Sequence, residues 1–240
     1  MNKFLSLIFH IIFFVLAILS LSFITKIPVK YLPIIEILPF LLVGISFILG
    51  YKFNRSLIIY SSLIFILVYV YILFSGPFKS HQQLLSLNSL VVFLSINISL
   101  LCFYLERGIL TTIGIIRFIF IFIQAAGFTW LVYTQYPQWQ NLIFNIVIPA
   151  LEIKLSYLTQ STFLVILLSI ILISSSYLTR INPFRSAIFV SMMLLLYAIS
   201  LPNKDILNLS VLFSYALLLP LITLVGESYK MAFMDDLTNL

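Results

Sequence analysis

The sequence predicts an all-α integral membrane protein, a bundle of about eight transmembrane helices. Three observations predict it. Of the 240 residues, 62% are hydrophobic and 8% are charged. Soluble domains run roughly 45–50% apolar and about 25% charged, so this chain lacks the polar surface that a water-soluble globule needs. Mean hydropathy is +1.20. The apolar residues also fall in runs of about 20, the length that crosses a hydrocarbon core some 30 Å thick. In lipid the backbone must satisfy its own hydrogen bonds, which makes each such run a helix. A soluble enzyme, a nucleic-acid-binding domain and a disordered chain are excluded on the same grounds.

The first span runs from Phe4 to Thr25 and stops at Lys26-Ile27-Pro28. Its start mimics a secretory signal, but the run exceeds the usual ~7–15 residues and more spans follow, so it is expected to be retained. The second, Tyr31 to Gly50, carries Pro33 and Pro39 and ends in Tyr51-Lys52-Phe53-Asn54-Arg55. The third, Leu57 to Ser75, meets Gly76-Pro77. The fourth, Ser89 to Leu105, and the fifth, Ile109 to Tyr133, are separated only by Glu106-Arg107-Gly108, which implies a tight antiparallel hairpin. The sixth is Phe163 to Leu178, the seventh Ala187 to Leu201 and the eighth Leu209 to Gly226. Arg180-Ile181-Asn182-Pro183 and Pro202-Asn203-Lys204-Asp205 divide these last three. Proline and glycine interrupt helices, and charges stay in water. The longest loop, Thr134 to Thr162, holds the apolar run Leu142 to Leu151 with Pro149, too short to span and expected at the interface. No long internal repeat is legible. Ser156-Tyr157-Leu158-Thr159 and Ser176-Tyr177-Leu178-Thr179 match over only these four positions.

Basic residues at alternate ends set the orientation. One side holds Lys3, Lys52, Arg55, Arg107, Arg180, Arg185 and Lys230; the other holds Lys26, Lys30, Lys79, Lys154 and Lys204. All arginines outside the spans fall on the first side, which is expected in the cytoplasm with both termini. Trp130, Tyr133, Tyr136 and Trp139 gather where the fifth span leaves on the other side, as an interfacial aromatic belt does. If Leu142 to Leu151 spanned, everything before it would invert. The net charge of +6 is spread singly between apolar runs. It therefore reports topology and gives no footprint for nucleic acid. The single cysteine, Cys102, excludes an intrachain disulfide and a cysteine-based metal site.

Ionisable groups within spans are costly, which makes each one a candidate for function. Glu36 lies in the second span between Pro33 and Pro39, and either turns into the bundle or faces water at the rim. Arg117 lies about two turns into the fifth span. Gln124 is seven residues further, hence on the same helical face. A Glu36–Arg117 pair is one arrangement; an Arg117 that extends to the headgroups is the plainer one. His10 has no ligand-type residue at i+3 or i+4, so a lone polar contact in the bundle is expected. Paired intramembrane carboxylates, phosphate-cradling glycine loops and zinc or serine-nucleophile motifs are missing from the sequence.

After Gly226 the composition changes, and residues 227–240 read as a short cytoplasmic helix. Within it, Ala232-Phe233-Met234-Asp235-Asp236-Leu237-Thr238-Asn239-Leu240 resembles the start of a GGDEF domain, the diguanylate cyclase family. In that family a helix runs into Ala-x-x-Asp-x-Leu-Thr-Gly-Leu. Ala232, Asp235, Leu237, Thr238 and Leu240 match, and Asn239 stands where glycine is commoner. The resemblance covers these nine residues alone.

The resemblance implies two parts: residues 1–226 as a multi-span sensor domain, and residues 227–240 as a linker helix with the start of a truncated GGDEF domain. It implies an input module for cyclic di-GMP signalling, in a homodimer in the bacterial cytoplasmic membrane, driven by a small molecule or a membrane property. The family's catalytic, GTP-binding and magnesium-binding residues lie downstream of the matched motif. The matched residues are therefore structural, and the chain as given is expected to hold no cofactor and to catalyse nothing. A small multi-pass transporter or permease subunit is the alternative, and a scaffold without a ligand is a third reading.

Overall fold

The computed structural model describes residues 3–24, 26–75, 81–103, 108, 110–134, 160–179, 183–201 and 205–238. Among them are eight α-helices: α1 (Lys3–Ile24), α2 (Leu32–Lys52), α3 (Ser56–Ser75), α4 (His81–Phe103), α5 (Thr112–Thr134), α6 (Gln160–Thr179), α7 (Pro183–Ser200) and α8 (Ile206–Thr238). A single 3-10 turn, Val29–Tyr31, precedes α2, and the described residues hold no strand. Seven helices are long and apolar enough to cross a membrane, and α6 has a shorter apolar stretch, Thr162–Ser176. The chain is a helical membrane bundle. Leu142 to Leu151 and Leu240 lie outside the described residues.

Local chemistry accounts for the helix ends. α2 closes in a Schellman turn: Asn54, at φ 52°, follows the helix, its N–H bonds to the Tyr51 carbonyl at 3.1 Å, and the Arg55 N–H bonds to Gly50 O at 2.7 Å. Asparagine tolerates this left-handed position better than a branched residue. Thr111 caps α5, its Oγ1 accepting the Gly114 N–H at 3.1 Å. α7 begins on Pro183, whose missing N–H costs nothing at a first helical position.

Two expected boundaries are corrected. The fourth helix starts at His81 rather than Ser89, because Ser86, Asn88 and Ser89 are buried against neighbouring helices and need no water. The eighth does not end at Gly226 with a separate short helix after it. α8 is one helix of 33 residues from Ile206 to Thr238.

At least two-thirds of the membrane-crossing stretch is buried in α3, α4, α7 and α8, against less than a fifth in α1, α2 and α5. The first four therefore form the core. α8 packs on α1, α2, α3 and α7; α4 packs on α3, α5, α6 and α7. This neighbour pattern is unchanged when every helix is exchanged for the one four places along the chain. α1 sits on α7 and α8 as α5 sits on α3 and α4. α2 sits on α3 and α8 as α6 sits on α7 and α4. Four spans return the chain to its starting side, so exchanged helices also run in the same direction. By this pattern the bundle divides into two four-helix units, α1–α4 and α5–α8, with matching neighbours.

That arrangement exposes a repeat the sequence alone did not make legible. Ser46, Arg55, Ser56, Ile58 and Ser61 recur with the same intervals as Ser176, Arg185, Ser186, Ile188 and Ser191. The four pairs other than the arginines are buried in both units. Shared burial at matching places in α2–α3 and α6–α7 supports the exchange independently of the contacts.

The α2–α3 turn depends on a close approach. A Cβ on Gly50 would lie 2.6 Å from Ile59 Cγ1 and 3.3 Å from the Arg55 carbonyl. Gly50→Val is expected to destabilise the bundle by about 1–3 kcal/mol through overpacking. The check is a lowered Tm of the detergent-purified chain, with Gly44→Val, where a Cβ meets nothing within 4 Å, as the tolerated control.

Candidate functional site

One end of the bundle carries Asn54, Arg55, Arg117 and Arg185 and is here named the arginine end. Buried polar side chains tie the helices together near it. His10 on α1 is 2% exposed, and its ring bridges two other helices. Nδ1 lies 2.9 Å from Ser186 Oγ on α7, and Nε2 lies 3.3 Å from Thr223 Oγ1 on α8. A neutral ring has one N–H and one lone pair, so one hydroxyl accepts and the other donates. On the other flank Arg185, 6% exposed, donates from Nη1 to the carbonyl and to Oγ of Ser176, both at 2.9 Å. Ser176 Oγ donates in turn to the Cys102 carbonyl at 2.8 Å, which links α7, α6 and α4. Tyr60 donates to Gly114 O at 2.9 Å and joins α3 to α5. The Arg55 guanidinium lies over the Phe184 ring at 5.1 Å.

The opposite end has its own junction. Tyr69 Oη lies 2.7 Å from Ser210 Oγ and 3.4 Å from the backbone carbonyl of Glu36. Tyr60 and Tyr69 are nine positions apart on α3, which puts these two levels about 13 Å apart along the helix axis.

The sequence-predicted residues fall into three places. Glu36 is exposed on the outside of α2, one turn from its start, and its main chain meets Tyr69. Arg117 and Gln124 lie on the bundle-facing side of α5 with the buried Ile121. α2 and α5 do not touch among the described residues, and Glu36 and Arg117 belong to opposite ends, so the structure does not bring them together. Ala232, Asp235, Leu237 and Thr238 lie on the last turns of α8. Among the described residues no cluster of His, Cys, Asp or Glu has metal-binding geometry.

Two clefts open on the α4–α5 pair. Towards the arginine end, a cavity of about 190 Å³ lies between Asn97, Leu101, Arg117 and Phe120. Further along, a cavity of about 270 Å³ is walled by Tyr71, Phe74, Ser86, Phe93, Ala125 and Phe128. Arg117 is also close enough to Tyr60 for its charge to act on the phenol. The Gln124 Oε1 atom is buried between α5 and its neighbours with no hydrogen-bond partner among the described residues.

Comparison with family models, curated proteins and solved structures finds no match to this chain. The fold and the site therefore stand on their own geometry.

Arg185 and Ser176 are buried polar residues that the sequence did not mark as candidates within the membrane. Arg185 reads as a loop charge, yet it is buried in the first turn of α7. The signal that could have found it is the recurrence of Arg55-Ser56 as Arg185-Ser186, each preceded by a serine at the same interval.

The His10 junction makes a measurable prediction. Ser186 and Thr223 each have a carbonyl of their own helix within donating reach, Pro183 O and Leu219 O, to which the single hydroxyl proton can turn, so His10→Ala orphans neither hydroxyl completely. The expected cost is about 1–2 kcal/mol, and a double-mutant cycle with Thr223→Val should show coupling near ~0.6 kcal/mol. Reversible unfolding in mixed detergent micelles measures both.

Proposed function

We propose that residues 1–226 form the membrane-embedded input module of a diguanylate cyclase system, with the arginine end and both termini in the cytoplasm. The membrane is the bacterial cytoplasmic membrane. The observation that carries the reading is the course of α8. It packs on α1, α2, α3 and α7, runs through Gly226 without a break, and continues into the residues that resemble the start of a GGDEF domain. A Glu227–Lys230 ion pair one turn apart supports the helix just beyond Gly226. The positive-inside rule puts the same end in the cytoplasm, where GTP is found.

Two GGDEF domains must face each other to join two GTP molecules, so the working unit is a homodimer. A rotation or shift of α8 inside the bundle would reach the next domain through an unbroken helix with little slack. GTP and magnesium belong to the GGDEF domain and find no residues of that family's site in this chain.

The test is a set of insertions after Gly226 in a form that carries a GGDEF domain. Each added helical residue turns the downstream domain by about 100°. Cyclic di-GMP output should change with one, two or three added residues and move back towards the parent level with four. Output that stays level across the whole set would defeat the proposal.

The two four-helix units favour a second reading, a small transporter, because parallel repeats related by an axis along the normal occur in transporters with the substrate at their interface. Ser95 on α4 and Ser191 on α7 lie in helices that touch across the two units, and their hydroxyls are buried without a partner among the described residues. On this reading the chain alone moves a solute across vesicles, and Ser191→Val abolishes the flux. An absence of flux for every solute in a membrane-potential and pH-jump screen removes it.

A further inference from the structure

The smaller cleft lies between α4 and α5, and the larger follows on the same α4 face among α3, α4 and α5. On α4 their walls include Ser86, Phe93, Asn97 and Leu101, spaced along a single helical face. On α5 they run from Arg117 to Thr129, a rise of about 18 Å. That is close to the roughly 15 Å depth of one leaflet's hydrocarbon. The clefts open towards lipid at their rims, where Ile116, Phe120 and Thr129 are exposed.

Its chemistry differs from end to end. At the arginine end a guanidinium and the Asn97 amide share the smaller cleft, and the described residues that line the two cavities include no acidic one. Arg117 is about 7 Å from the start of its helix, a depth from which a long side chain reaches the headgroups. Beyond it the walls become apolar and aromatic, with Phe93 and Phe128 in edge contact at 5.8 Å. Apolar cavities of about 150 Å³ already accept benzene, and the larger cleft exceeds that.

In the other unit α1 takes the position of α5, and it is pinned to α7 and α8 by His10 and to α8 by the Phe13–Tyr215 ring contact at 5.2 Å. α5 carries an arginine and lines two cavities.

We propose that the α4–α5 furrow binds an anionic phospholipid from the leaflet at the arginine end, its phosphate on Arg117 and one acyl chain along Ile121, Ala125 and Phe128. Anionic phospholipids are the resident anions of the membrane surface, and basic pockets between transmembrane helices recognise their headgroups. The larger cleft holds the distal part of that chain. Binding is a property of the bundle and needs no cyclase domain.

The full chain is placed in phosphatidylcholine vesicles that contain a phosphatidylglycerol with a diazirine on one acyl chain, irradiated, and the adducts are mapped by mass spectrometry. Adducts should concentrate on residues 67–74, 86–101 and 116–129. Unlabelled phosphatidylglycerol should compete, and added phosphatidylcholine should not. Arg117→Gln should lower furrow labelling about tenfold, the scale of one lost charge-assisted contact, and Arg117→Lys should keep most of it. Ala125→Leu fills the larger cleft without altering charge, and should lower labelling too; it decides the matter if Arg117→Gln does not fold. Adducts spread evenly around the bundle, or labelling indifferent to both substitutions, would overturn the proposal. Equal displacement by palmitate would also overturn it, by giving the furrow to a free fatty acid.

Discussion

In a bilayer a buried hydroxyl, imidazole or guanidinium has no water to turn to, and each must find its partner in another helix or in its own backbone. The bundle is organised by that requirement. Apolar contact alone discriminates weakly between helix pairs, since lipid tails are as apolar as leucine. His10, Arg185, Tyr60 and Tyr69 supply the discrimination. Each reaches a group on a different helix, and with the Ser176–Cys102 bond they join all eight helices at two levels. Were these side chains apolar, α1, α5 and α6 would have little reason to choose the neighbours they have.

The same requirement makes the repeat visible. Serine can sit in a transmembrane helix cheaply because its hydroxyl bonds back to a carbonyl three or four residues earlier, as Ser46 and Ser61 do. Such a residue lets helices approach closely. Of the five recurring pairs in α2–α3 and α6–α7, all but Ile58 and Ile188 are serine or arginine. The two units then diverge where they meet lipid. One ties its flanking helix with an imidazole, and the other carries an arginine beside two clefts.

Spans were legible in the sequence because length and hydropathy state a thickness, and a thickness is what a membrane demands. Seven of the eight predicted runs coincide with helices long and apolar enough to cross, and the predicted sixth falls within α6. The early start of α4 was not legible. Ser86, Asn88 and Ser89 look like a loop until neighbours bury them. Arg185 was illegible as a core residue for a related reason: a charge beside Asn182-Pro183 reads as a turn, and only the facing Ser176 shows why it can be buried. The repeat escaped because lipid-facing positions exchange Ile, Leu, Val and Phe freely, which erases identity while preserving fold. Arg117 and Gln124 were legible as one face from their spacing, but the clefts beside them were not, since a void is a property of two helices.

α8 is where stability and communication meet. It cannot be altered in isolation, because it packs on four helices and then continues for about three turns past Gly226. Pro220 lies within it, and proline lacks the N–H that the Ala216 carbonyl would otherwise accept. The helix is therefore weakest in its ladder while held most firmly by its neighbours. A change at α5 reaches it through α3, which touches both, and a change at α1 reaches it directly. α5 thus meets the core helices α3 and α4 directly and α8 through α3. The peripheral helices face the bilayer, the central ones face each other, and α8 runs on as one helix to Thr238.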